Sequence, residues 1–131
     1  MAKLVDTNLI IRFLIKDDQH QFETAQKLFS SLDENLVLPD MVLAEVVWTL
    51  RSVYKLSKQE IIEKLLKLLE LKNLTVNFHL LTNSLLIYRD YNISFVDAYL
   101  AAYAEEEGLK GIYSFDKGLD KIKSVKRFVP K

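Results

Sequence analysis

Apolar residues along this chain follow two rhythms, and the switches between them mark its elements. Lys3-Leu4-Val5 is a short apolar start that stops at the polar Asp6-Thr7-Asn8, which predicts a strand end. Residues 9–15 predict a short helix. Residues 20–32 predict a longer one, with Phe22, Ala25, Leu28, Phe29 and Leu32 at helical spacing. Leu36-Val37-Leu38 before Pro39 predicts a buried strand. Asp40 is placed to cap a helix running to about residue 53. Ser57 and Glu60 form a capping-box pattern ahead of Ile61, Ile62, Leu65, Leu66 and Leu69, which predicts an amphipathic helix. Leu74-Thr75-Val76 predicts a short strand, and residues 78–89 a helix. Residues 94–107 predict another helix, closed by Gly108. Residues 111–114 and 127–129 predict the last two strands. Strands alternating with helices predict an α/β domain with a mostly parallel sheet flanked by helices.

Composition narrows the class. The 131 residues fit one domain spanning 1–131, and at 50% hydrophobic they can build a real core. There is no repeat, linker or low-complexity segment. Cysteine is absent, which excludes a disulfide framework and a thiolate metal site and fits a reducing cytosol. The expectation is a cytoplasmic protein: no signal-peptide core is present, and no apolar run is long enough to cross a bilayer. Basic and acidic residues number 18 each, so net charge is zero. A protein that grips nucleic acid through phosphates alone carries a clear basic excess. The tail is locally basic, with Lys121, Lys123, Lys126, Arg127 and Lys131. Because Val125, Phe128 and Val129 interleave them, the tail reads as a last strand with a solvated edge rather than a phosphate-contacting rim.

Three carboxylates stand alone in apolar surroundings. Asp6 is the only charged residue between Lys3 and Arg12, Glu45 between Asp40 and Arg51, and Asp97 between Asp90 and Glu105. Acids are rarely buried unless paired or metal-bound, so three such positions point to one shared answer, a divalent cation. Asp116 joins them. Like Asp6 it follows a predicted strand, and parallel sheets build sites at the carboxyl ends of their strands. Each Asp also has a local role open to it. Asp6 can cap the helix after it, Asp97 can close a capping box with Ser94, and Asp116 can begin a turn with Gly118. Glu45, inside Met41-Val42-Leu43-Ala44-Glu45-Val46-Val47-Trp48, has no such role. Oxygen-only ligands select Mg²⁺ or Mn²⁺ over Zn²⁺. An acid-rich site of this kind draws in a phosphodiester through its ion and lets a metal-activated water attack phosphorus in line. His20 and His79 lack ligand spacing and read as surface positions.

Val5-Asp6-Thr7-Asn8, Leu43-Ala44-Glu45-Val46, Phe95-Val96-Asp97-Ala98 and Ser114-Phe115-Asp116 resemble the acidic motifs of PIN domains, in that family's order and over essentially the whole chain. The chain looks most like the VapC-type toxins of toxin–antitoxin pairs. The resemblance implies a three-layer PIN-like α/β fold in which Asp6, Glu45, Asp97 and Asp116 are the catalytic, metal-binding acids of one cleft. It casts Asn8 and Ser114 as polar supports and Asp120 as an auxiliary acid at the edge. Family members often carry Thr where this chain has Ser114, and the hydroxyl is kept. The implied activity is an Mg²⁺- or Mn²⁺-dependent endoribonuclease on structured RNA. The implied partners are a second copy of the chain and a cognate antitoxin protein, with no membrane. Apolar helix faces within residues 41–71 are the expected dimer surface. The competing reading is a non-catalytic PIN-fold module for RNA binding or assembly. A haloacid-dehalogenase-like phosphatase needs a second Asp two residues after the first, where this chain has Asn8.

Overall fold

A computed structural model describes residues 1–131. The chain divides into two compact units, Met1–Phe78 and His79–Lys131. It has the α/β architecture that the pattern predicts, with six α-helices and five strands, and every strand pairing is parallel.

In the first unit, β1 (Lys3–Leu4), β2 (Leu36–Val37) and β3 (Leu74–Thr75) form a sheet in that order. The register sets Lys3 opposite Leu36, and Leu36 opposite Leu74. Parallel neighbours need crossovers, and helices supply them. Helices α1 (Thr7–Leu14) and α2 (Gln19–Ser30) join β1 to β2, while α3 (Asp40–Ser52) and α4 (Lys58–Leu69) join β2 to β3. Helix α1 packs on α2 and α3, and α3 on α4. The strands are shorter than the apolar runs suggest. Val5 still donates its N–H to the Val37 carbonyl at 3.0 Å, and Leu38 to Thr75 at 3.0 Å, so the ladder runs one residue past each labelled end.

The capping box of α4 forms in full, with Ser57 and Glu60 each satisfying the other's backbone N–H. Its apolar face (Ile61, Ile62, Leu65, Leu68 and Leu69) is buried. That face is this unit's own core, so of the apolar faces within residues 41–71 it is not one left for a second copy. Asp40 does not cap α3. Pro39 takes the N-cap position without a side-chain bond, and the Asp40 carboxylate instead accepts from Asn77 Nδ2 at 2.9 Å. Buried Asn73 donates to the Ser31 carbonyl at 2.8 Å, tying the end of α2 to the start of β3.

The second unit holds most of α5 (Phe78–Asp90), then α6 (Phe95–Glu106) and a parallel pair, β4 (Ile112–Tyr113) and β5 (Arg127–Phe128), joined through a 3₁₀ turn at Lys117–Lys121. Tyr88 on α5 meets Phe95 on α6 edge to face at 5.8 Å. Gly108, at φ 63°, closes α6 in a Schellman arrangement. Leu109 N–H reaches the Ala104 carbonyl at 2.8 Å, and Gly108 N–H reaches Glu105 at 3.2 Å.

Gly111 lets β4 approach β5. A Cβ there would strike the Lys126 carbonyl and the Phe128 ring. Gly111→Ala is therefore expected to lower stability by roughly 1–3 kcal/mol in a urea melt. An unchanged midpoint would show that the strands do not need this close approach.

Candidate active site

Asp6 follows Val5 at the carboxyl end of β1. It is the N-cap of α1, and its Oδ1 accepts from Leu9 N–H at 2.9 Å. Asn8, on the first turn of α1, lines with Asp6 an open cavity of about 380 Å³ that also takes in Arg12, His20, Gln21 and Thr24. Arg12 donates through Nη1 to both oxygens of Asp17, at 3.0 and 3.1 Å. Glu45 lies mid-way along α3 on its exposed side, with Met41 one turn before it and Trp48 one turn after, both exposed.

Asp116 sits past the carboxyl end of β4. Ser114 N–H completes the ladder to the Phe128 carbonyl at 3.0 Å. The Ser114 hydroxyl then accepts from Asp116 N–H at 2.9 Å. Asp116 Oδ1 accepts from Gly118 N–H at 2.8 Å and caps the 3₁₀ turn. Asp97 lies on the first turn of α6. Its N–H is capped by the Ser94 hydroxyl at 3.1 Å.

That carboxylate meets Asp116. Burial lifts the Asp97 carboxyl above its ordinary value. The Asp116 charge and a hydrogen bond shared with Asp116 lift it further, while the Ser94 hydroxyl pulls the other way. Two like charges facing each other with partial desolvation form a place where a cation is favoured.

Three of the four acids are exposed, and only Asp97 is half-buried. Isolation among apolar residues in sequence therefore did not mean burial. At about 100° of turn per residue, Leu43, Val46, Val47 and Leu50 rotate to the core while Glu45 faces out. The cap at Asp6 and the turn at Asp116 both form, so these local roles coexist with any role in a site. The structure brings Asp97 and Asp116 together in the second unit, whereas Asp6 and Glu45 belong to the first. Within each unit no group of three or more His, Cys, Asp or Glu side chains lies at metal-holding spacing.

Asp120, read as an auxiliary acid, is committed to Arg127. Nε and Nη2 of Arg127 hold its two oxygens at 2.8 and 3.0 Å. This pairing keeps the Asp120 carboxyl below its ordinary value, with Lys117 adding to the effect. Arg127 Nη1 also donates to the Ser114 carbonyl at 3.0 Å. Arg127 thus braces both the turn and the residue that orients Asp116. In the sequence it stands among the solvated charges of the tail. Only the β4–β5 register, which sets Tyr113 opposite Phe128, carries it to these partners. His20 and His79 are exposed, as expected.

The PIN domain family model matches residues 3–125, across both units. The chain belongs to the PIN domain family. It is similar to the VapC ribonuclease of Aquifex aeolicus (strain VF5), at 27% identity over 125 residues covering 92% of this chain and 91% of that protein. No helix is long and apolar enough to cross a membrane.

Proposed function

We propose that the chain is a divalent-metal-dependent endoribonuclease acting on structured RNA, and the toxin of a toxin–antitoxin pair in the cytoplasm. The observation that carries this reading is the carboxyl pair Asp97–Asp116 in a PIN-domain chain, supported by likeness to a protein named VapC ribonuclease. The acids of the reaction are Asp6, Glu45, Asp97 and Asp116.

The donor chemistry fits Mg²⁺ or Mn²⁺. All the donors are carboxylate oxygens, and the repulsion between Asp97 and Asp116 is what a hard cation relieves. Asp6 and Asp116 are each oriented by a backbone N–H on Oδ1, which leaves Oδ2 to turn toward an ion. When bound, the ion supplies charge neutralisation and an acidified water for in-line attack on phosphorus. The chain's own residues do the rest. Ser94 fixes the first turn of α6 and with it Asp97. Ser114 fixes Asp116, and Arg127 fixes Ser114.

Purified protein with Mg²⁺ or Mn²⁺ is expected to cut a structured RNA, and EDTA to stop it. RNA binding without any cleavage under either metal would instead favour a non-catalytic PIN module.

A second copy of the chain and a cognate antitoxin are the proposed partners. With the α4 face spent on the core, Met41 and Trp48 on α3, exposed at 83% and 63%, remain as apolar surface for the second copy. Light scattering at micromolar concentration is expected to give a dimer. A monomer would remove that role from α3.

A further inference from the structure

The second unit gathers exposed aromatic rings and lysines beside Asp116. Tyr113 and Phe115 flank Ser114 and are 75% and 76% exposed. They lie two residues apart, where the chain leaves β4 and bends at Phe115. The Phe128 ring stands 5.8 Å from that of Tyr113, and the Lys126 ammonium lies over it at 5.0 Å. Charge is concentrated here too. Residues 110–131 carry seven basic side chains against two acidic ones, in a chain whose net charge is zero. Arg127 is held by Asp120, but Lys117, Lys123 and Lys126 are exposed.

We propose that Tyr113 and Phe115 form a stacking platform for unpaired bases of an RNA substrate, with these lysines following its phosphates. The proposal rests on the nuclease reading above and adds how the substrate is held. Solvent-exposed rings gain by stacking on bases, which carry a π-face whatever their sequence. Local positive charge supplies the phosphate attraction that the neutral chain as a whole does not. Phe115 is the residue immediately before Asp116, whose N–H the Ser114 hydroxyl holds. A base stacked on Phe115 is thus held one residue along the chain from Asp116.

The test uses the full chain carrying Asp97→Asn, kept in EDTA so that nothing is cut. The probe is a labelled RNA of roughly 12 nucleotides, single-stranded or annealed to its complement. Adding Tyr113→Ala with Phe115→Ala is expected to weaken single-strand binding by about tenfold or more and to leave duplex binding nearly unchanged. Tyr113→Phe with Phe115→Tyr keeps both rings and should restore it. Lys123→Gln and Lys126→Gln should each flatten the salt dependence by about one unit of slope.

Equal loss for single strand and duplex would overturn the platform. So would unchanged binding, including the case where the alanine variant alters only the oligomeric state, which would assign the rings to a second copy. The nuclease reading fails separately. Ring-dependent binding by a wild type that never cuts RNA with Mg²⁺ upholds the platform and removes the enzyme.

Discussion

Asp97→Asn is expected to abolish most RNA cleavage, by orders of magnitude, without weakening the metal-free fold. The two effects have one cause. In the wild type the Asp97 carboxylate is partly desolvated and faces the charge of Asp116, so its proton is held more tightly in the folded chain than in the unfolded one. A carboxyl raised in this way costs stability when ionised. The cost is fully present at neutral pH and disappears as pH falls through the folded-state value toward the unfolded one. Asn has no charge to lose. It also keeps the helix cap, because the group that Ser94 accepts from is the backbone N–H. A carboxylate on the first turn of a helix gains about 0.3–1 kcal/mol from the dipole. The net shift of Asp97 is still upward, so burial and repulsion outweigh that gain.

Without metal the variant should therefore melt at or above the wild-type temperature near pH 7. Its advantage should shrink on acidification. Added Mg²⁺ should raise the wild-type melting temperature more than the variant's, since a ligand stabilises only the state it binds. A variant that melts clearly lower yet still cuts RNA would make Asp97 a structural residue.

Arg127→Ala is expected to cost roughly 10–100-fold in cleavage, the usual scale for removing a group that orients metal-binding residues. Arg127 reaches both oxygens of Asp120 and the Ser114 carbonyl, and Ser114 orients Asp116. Its loss frees one more negative charge near Asp116 and loosens Ser114 together. Lys should not rescue, because an ammonium cannot reproduce the two-pronged geometry. The informative readout is kcat at saturating RNA together with the Mg²⁺ concentration for half-maximal rate. Arg127 serves only to hold the tail if melting falls while both of these stay at wild-type values.

The reach of the sequence differs between these two residues. Asp97 was visible because its four-residue motif and the Ser94 cap are local. Arg127 was not, since Asp120 and Ser114 lie 7 and 13 residues from it. Helices were read closely for the same reason. Periodicity, the Ser57–Glu60 box and the Gly108 terminator are written within a few residues of one another. The strand runs were read one residue beyond the regular strands, and ladder bonds from Val5 and Leu38 reach those residues. Amphipathicity on α4 showed that a face is covered and could not show by what. Glu45 was singled out for its apolar neighbours, yet helical rotation sends those neighbours inward and Glu45 outward. Its place in the acidic set thus rests on the family resemblance and not on burial. Asp40 looked like a cap because Pro39 before it masks where α3 begins.

The central claim is hydrolysis of RNA by water that the acids and a metal ion prepare, and the ends of the cut products report on it directly. Cleavage by the wild-type protein with Mg²⁺ or Mn²⁺ should leave 5′-phosphate and 3′-hydroxyl ends, as in-line attack by water requires. Products ending in a 2′,3′-cyclic phosphate would mean that the RNA's own 2′-hydroxyl made the attack, and would contradict the account.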